Sequence, residues 1–240
     1  NFKGEDILNI ILDNRCCAKF IVGKIYREFV NPVPHAEIID ALADEFFVSD
    51  YDIEKLMRSI FLSNWFYSEV NMGVKIASPV ELMVRLKKLI ALEFNEDRTA
   101  IELQKVLGQV LFFPPNVAGW KGGENWIDSA SLLIRLNIPQ YIINETAIML
   151  QGKPSFEEDD KGNEKRYKGS VTASWKELLT YGNMQQEKNP FAKLVAQLIQ
   201  CDPSSINPKM AEENNTQTDH AKRIISLAAN IMSTPEFQLI

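Results

Sequence analysis

The sequence predicts a mainly α protein. We expect a single multi-helix domain of about ten helices, with a Trp/Gly-rich loop and at most a short β-hairpin. Three observations lead to this prediction. Apolar residues recur at steps of three or four along most of the chain, several of these runs begin at helix-capping residues, and two prolines, three glycines and two tryptophans cluster in one loop.

The apolar spacing is the main evidence for helices, because a helix that buries one face repeats its apolar residues every three or four positions. Four stripes illustrate it: Ile38, Ile39, Leu42, Ala43 and Phe46; Ile53, Leu56, Met57, Ile60 and Phe61; Phe191, Leu194, Val195 and Leu198; and Ile224, Ile225, Ala228, Ile231 and Met232. The pattern as a whole predicts helices near residues 5–13, 17–30, 36–48, 53–63, 79–93, 100–111, 129–138, 172–181, 190–200 and 220–232.

Helix-start signals support these positions. A Ser, Thr, Asp or Asn before the first turn can accept a bond from a free backbone N–H, and a Glu three positions later can return one. Proline fits the first helical position. The predicted starts are Ser78 with Pro79 and Glu81, Thr99 with Glu102, Asp52, and Asn189 with Pro190.

The remaining segments are turns, loops and one candidate hairpin. Residues 141–150 and the stretch around 167–171 are predicted to pair as the short hairpin. Residues 151–169 and 202–219 are polar and poor in apolar side chains, which is typical of exposed loops or insertions. We expect the last helix to fold back onto the same core as the rest of the domain.

Composition excludes several classes of function. The 240 residues carry a formal net charge of −6, which argues against nucleic-acid binding. No apolar run approaches the ~18 residues of a membrane span, so no membrane span is predicted. With only His35 and His220 as imidazoles, a His-rich metal site is not expected, and no metal or cofactor is predicted.

The most unusual stretch is residues 112–130, FFPPNVAGWKGGENWIDSA. Pro114 and Pro115 should stop the preceding helix near residue 111. Gly119, Gly122 and Gly123 permit a tight turn that could bring Trp120 and Trp126 to one side. Asp128 is placed to cap the following helix.

Two interpretations of this loop stay open. In the structural one, Trp120 and Trp126 plug the end of the helical core, while Asn116 and Asp128 hold backbone amides. In the functional one, Asn116, Trp120, Trp126 and Asp128 bind a ligand, because tryptophan faces beside polar side chains suit a sugar or another amphipathic small molecule. The functional interpretation predicts a groove beside Trp120 or Trp126.

No familiar catalytic motif occurs, and no catalytic residue is assigned. The chain lacks a P-loop and the motifs G-x-G-x-x-G, G-x-S-x-G, H-E-x-x-H and C-x-x-C. If the domain contributed an acid or base to a reaction, Asp128, Asp52 or Glu45 would be candidates, with a perturbed pKa in a shared cleft. Whether the protein is an enzyme is therefore left open.

The segment FFPPNVAGWKGGENWIDSASLLIRLN (112–137) resembles the bacterial family called domain of unknown function 1800. Family members carry a similar P-N-V-x-G-W-x-G-G-x-x-W-I/L segment, followed by a helix with an arginine, here Arg135. Residues 4–31, 52–66, 75–83 and 231–238 are also similar to family segments. The resemblance thus spans nearly the whole chain.

The resemblance implies that this chain is the C-terminal part of a longer protein, exported to the periplasm or cell envelope. It also implies a partner protein encoded by a neighbouring gene. The expectation is a non-catalytic binding or scaffolding domain. The alternatives are part of a hydrolase-like enzyme, completed by the N-terminal half, and a packing subunit for the neighbouring gene's product, which a large exposed apolar patch would favour.

Overall fold

The computed structural model describes residues 2–150, 167–180, 184, 186–209 and 219–240, and helices dominate them. The chain divides into two compact units, Asn1–Lys75 and Ile76–Ile240, called here the N-terminal and C-terminal units. Each has its own cluster of buried apolar side chains. The mainly α prediction is confirmed, and the number of independently folding domains stays a prediction.

Four α-helices build the N-terminal unit: α1 Gly4–Leu12, α2 Arg15–Phe29, α3 Ala36–Val48 and α4 Ile53–Phe61. Short 3-10 turns follow at Asn64–Tyr67 and Glu69–Asn71. The starts of α2 and α4 are fixed by side chains. Asn14 accepts a bond from the backbone N–H of Cys16 at 2.9 Å, and Asp52 accepts one from Lys55 at 3.1 Å, as the sequence predicted for Asp52.

The core of this unit lies mainly between α2 and α3, and α4 packs against α3. Its buried side chains are those of Ala18, Val22, Tyr26, Val30, Ile39, Leu42, Ala43, Phe46, Leu56 and Ile60. Helix α1 differs from the others because none of its residues is buried. Its apolar side chains are exposed, namely Ile7, Leu8, Ile10, Ile11 and Leu12.

Six α-helices lie in the described part of the C-terminal unit: α5 Pro79–Ile90, α6 Asp97–Leu107, α7 Ser129–Ile143, α8 Lys176–Thr180, α9 Pro190–Leu198 and α10 His220–Met232. Further 3-10 turns occur at Gly123–Trp126, Pro203–Ser205 and Glu236–Gln238. As predicted, the last helix folds back, since α10 packs on α7 and α9 and buries Ile224, Leu227 and Ile231 in the unit's core.

Two small antiparallel sheets complete this unit. Strand β2 (Ile148–Leu150) pairs with β3 (Tyr167–Gly169), which confirms the predicted hairpin. Strand β1 (Glu93–Phe94) pairs with β4 (Val171–Thr172), a pairing the sequence did not predict.

The two segments predicted as exposed loops lie partly outside the described residues. Within 151–169, residues 151–166 are outside, and residues 167–169 form β3 rather than a loop. Within 202–219, residues 210–218 are outside. Residues 203–205 form a 3-10 turn, and Asp219 caps α10 by accepting a bond from Ala221 N at 2.9 Å.

The helix starts test the sequence-based capping predictions. The capping box of α5 is confirmed: Ser78 N donates to Glu81 Oε2 at 2.7 Å, and Glu81 N donates to Ser78 Oγ at 3.3 Å. Helix α9 begins at Pro190 as predicted, although Asn189 makes no side-chain cap bond. The predicted cap at Thr99 is wrong, because α6 begins at Asp97 and the buried Thr99 hydroxyl lies 3.0 Å from that of Tyr167.

Candidate functional site

The Trp/Gly segment begins where α6 ends, and a glycine rather than the prolines ends that helix. Gly108 adopts a left-handed conformation with φ +91°, which glycine accepts without strain. The N–H groups of Gly108 and Gln109 both donate to the Gln104 carbonyl at 2.9 Å. The helix therefore stops at Leu107, before the predicted end near residue 111.

The Trp/Gly segment divides into two halves. Residues 111–125, called here the outer half of the segment, expose apolar side chains at their start. Phe112 is 95% exposed and Phe113 is 62% exposed, and Leu111 and Val117 are exposed as well. Phe112 has φ +62°, a conformation that bulky residues rarely adopt and that costs on the order of 1 kcal/mol or more. The chain thus exposes two aromatic rings to water, and one of them, Phe112, lies at a strained position.

Hydrogen bonds fix the shape of the outer half. Leu111 N donates to Gln104 Oε1 at 2.9 Å, which ties the start of the loop to α6. Asn116 Oδ1 accepts from Ala118 N at 2.8 Å, and the Asn116 carbonyl accepts from Gly119 N at 3.0 Å. Phe113 N also donates to the Val110 carbonyl at 3.0 Å, so the exposed rings lie on a hydrogen-bonded turn.

Residues 126–135, called here the inner half, include the start of α7 and bury the side chains of Trp126, Ser131 and Arg135. Trp126 is only 9% exposed, and Ser131 is fully buried. Asp128 caps α7 as predicted: Ser131 N donates to Asp128 Oδ1 at 2.8 Å, and Asp128 N donates to Ser131 Oγ at 2.9 Å. Ser131 Oγ also donates to the Trp126 carbonyl at 3.0 Å, which fixes the tryptophan's backbone to the helix start.

Arg135 lies one turn further along α7 and is 1% exposed. Its Nη1 donates to the buried Ala77 carbonyl at 2.9 Å, whereas Nε and Nη2 have no hydrogen-bond partner among the described residues. Burial lowers the pKa of the guanidinium from its usual value to about 10, so the group is still charged at neutral pH. A buried cation of this kind is costly to the fold.

The four predicted ligand-binding residues therefore have different surroundings. Asn116 is exposed, Trp120 is half-buried and Trp126 is buried. The Asp128 carboxylate is occupied as a helix cap. The rings of Trp120 and Trp126 form no stacking contact with each other in the described structure. A ligand role for this set, and the groove beside the two tryptophans, stay predictions.

The three candidate acids, Asp52, Asp128 and Glu45, have different surroundings. Asp52 and Asp128 cap helices, and the Lys55 backbone N–H lowers the pKa of Asp52 by stabilising its carboxylate. Glu45 is different, because its Oε1 accepts a bond from Ser59 Oγ at 2.7 Å beside a pocket of the N-terminal unit.

That pocket is a feature which the sequence analysis missed. It has a volume of about 350 Å³ and is lined by Glu37, Ile38, Ala41, Leu42, Glu45, Ser59 and Trp65. A signal was present, because Glu37, Ala41 and Glu45 are each four residues apart and so share one face of α3. The small alanine between two acids leaves space on that face.

The described residues contain no group of three or more His, Cys, Asp or Glu side chains arranged to hold a metal ion. No helix in the described ranges combines the length and the apolar character that crossing a membrane requires.

The fold and the Trp/Gly segment define a class of helical domain in which this loop precedes an arginine-bearing helix. The sequence model of the family DUF1800, described as a protein of unknown function, matches residues 1–239. The chain therefore belongs to this family, and the resemblance seen in the sequence is confirmed. No curated protein and no solved structure matches the chain.

Proposed function

We propose that this chain is a non-catalytic binding domain and that the outer half of the Trp/Gly segment is its recognition loop. The observation that carries the proposal is the exposure of Phe112 and Phe113 on a turn fixed by Asn116 and Gln104. Aromatic rings held in water without a packing role cost solvation free energy, which contact with a partner recovers. The strained φ of Phe112 is also typical of functional loops.

The proposed ligand is a glycan. Aromatic faces bind the apolar face of a sugar ring, and the neighbouring polar side chains bind its hydroxyls. Asn116 is exposed on the same turn, and half-buried Trp120 follows directly after it. The family resemblance supports an exported, envelope location, where glycans are abundant, and a partner encoded by a neighbouring gene.

A glycan array followed by calorimetric titration tests this proposal on the full chain. Phe112→Ser and Phe113→Ser should each weaken binding about two- to twelvefold, because a stacked ring contributes about 0.5–1.5 kcal/mol. Leu133→Ser is the matched control, since Leu133 is 63% exposed on α7, outside the outer half. No binding to any glycan, or equal loss in the control, would refute a glycan-recognition loop.

A second candidate function is a packing subunit, and helix α1 is the observation that favours it. Five apolar side chains of α1 are exposed, and the helix buries none of its residues. An apolar face of this kind on a soluble protein usually marks an interaction surface. Replacing Ile7 and Ile11 with Ser should abolish association with the neighbouring gene's product and leave the circular dichroism of the chain unchanged.

A further inference from the structure

We propose a second binding site in the N-terminal unit, a pocket that takes a primary ammonium group on an apolar stem. The pocket is formed by one face of α3, by Ser59 of α4 and by Trp65 of the following 3-10 turn. Its volume of about 350 Å³ lies at the lower end of the range for small-molecule sites. This site is separate from the proposed recognition loop and does not depend on it.

The charges on α3 point to a cation. Asp40 and Asp44 form ion pairs with Lys19 and Arg15 of α2. The acids on the pocket side, Glu37 and Glu45, have no ion pair with any described residue. Two carboxylates that flank one pocket without a cation of their own attract a positive ligand.

Hydrogen bonding orients one of these acids. Ser59 Oγ donates to Glu45 Oε1 at 2.7 Å, so this contact holds the carboxylate at the pocket wall. A carboxylate has about four acceptor positions, and one serine leaves the others available. The –NH₃⁺ group of an amine supplies three donors and fits such an acceptor better than a neutral hydroxyl does.

The rest of the pocket is suited to an apolar stem and a cation–π contact. Ile38, Ala41 and Leu42 line it with aliphatic surface. The Trp65 ring stacks on Tyr26, with centroids 6.3 Å apart and an interplanar angle of 25°, which fixes its orientation. A cation near a tryptophan face gains about 0.5–2 kcal/mol. The chemistry is shared by a free alkylamine and by a lysine side chain.

Isothermal titration calorimetry of the full chain with three matched probes tests the site: n-pentylamine, pentan-1-ol and pentanoate, all at pH 7. The amine should bind with a dissociation constant near the millimolar range and at least about tenfold more tightly than the alcohol. Pentanoate should not bind. Raising the salt concentration from 50 mM to 500 mM should weaken amine binding, because the two carboxylates are exposed.

Substitutions in the pocket show which residues bind the amine. Glu37→Gln and Glu45→Gln should each weaken amine binding about threefold, and together about tenfold. Glu54→Gln on α4 is the control, because this acid is exposed but does not line the pocket. Trp65→Leu should lose more affinity than Trp65→Phe, which retains an aromatic face, and circular dichroism checks that both variants remain folded.

N-acetyl-lysine methylamide distinguishes the two sources of the ligand. If it binds as n-pentylamine does, the pocket accepts a lysine side chain of a peptide, and if only the free amine binds, the ligand is a small molecule. Equal affinity for pentylamine and pentanol would overturn the proposal. Two further results would overturn it as well. One is amine binding that the Glu37 and Glu45 variants leave unchanged, and the other is no detectable amine binding at about 10 mM amine.

Discussion

The outer and inner halves of the Trp/Gly segment adjoin in the sequence but differ in their surroundings. The outer half holds Phe112 and Phe113 in water, whereas the inner half buries Trp126, Ser131 and Arg135. One motif therefore combines a structural part and an exposed part. The four residues named in both interpretations of the loop, Asn116, Trp120, Trp126 and Asp128, are divided between the two halves, so the presence of the motif alone does not show which residues bind.

The largest expected contrast is between the aromatic residues of the two halves. Trp126→Ala should lower the free energy of unfolding by about 3–5 kcal/mol, because a large buried ring is removed. Phe113→Ala should change it by about 0.5 kcal/mol or less, because the ring is already exposed. Urea denaturation measures both. Similar losses for the two variants would mean that the outer half is part of the structural core.

The buried charge of Arg135 gives a pH-dependent test of the inner half. The folded-state pKa is lowered to about 10, so above about pH 10 the unfolded state holds this proton more often than the folded state does, and the contribution of Arg135 to the free energy of unfolding rises with pH. Relative to Arg135→Met, the wild type should gain about 1.4 kcal/mol of stability per pH unit above 10. Denaturation of both proteins between pH 8 and 11 measures this difference. If the difference in the free energy of unfolding between the two proteins did not change with pH, the guanidinium would be paired with a counter-ion or in contact with water.

The cap at Asp128 lies within the inner half, and its loss should have a moderate effect. Asp128→Ala should destabilise the protein by about 1 kcal/mol, because the Ser131 N–H at the start of α7 loses its acceptor. Asp128→Asn is the control, since asparagine caps helices about as well. Thermal denaturation of the two variants compares them. An equal loss in Asp128→Asn would assign the effect to charge rather than to capping.

The smallest expected effect is a gain in stability at Phe112. Glycine adopts φ +62° without strain, so Phe112→Gly should be neutral or stabilise the fold by up to about 1 kcal/mol. The same variant should lose glycan binding if the outer half is the recognition loop. A clear loss of stability would instead show that the ring packs against the protein.

Local chemistry explains what the sequence could and could not predict. The caps at Asp52, Ser78 and Asp128 were predictable because their partners lie within three residues. The cap predicted at Thr99 is wrong, because the hydroxyl of Thr99 lies close to that of Tyr167, 68 positions away, and no local pattern indicates this contact. Helix periodicity predicted the core faces, but a two-residue pairing such as β1 with β4 leaves no periodic signal.

The same limit applies to the candidate sites. Its unusual composition identified the Trp/Gly segment as a candidate site. Which of its residues are buried and which are exposed depends on contacts with residues distant in the sequence, so the sequence alone could not show it. The pocket of the N-terminal unit brings Ser59 and Trp65 to the acidic face of α3, and only the fold shows that combination. Sequence spacing could show only that Glu37 and Glu45 share one face of α3, and not which residues pack beside that face.

Acrylamide quenching of tryptophan fluorescence tests most directly whether the segment divides into a binding outer half and a structural inner half. The measurement is made with and without a bound glycan, and the variants Trp120→Phe and Trp126→Phe assign the signals. Half-buried Trp120 should be quenched and become protected when the glycan binds. Buried Trp126 should be shielded and unchanged by the glycan. The account would be contradicted if acrylamide quenched Trp126 as efficiently as Trp120, or if the glycan protected Trp126 alone. Either result would mean that the inner half is not purely structural or that the outer half is not where the glycan binds.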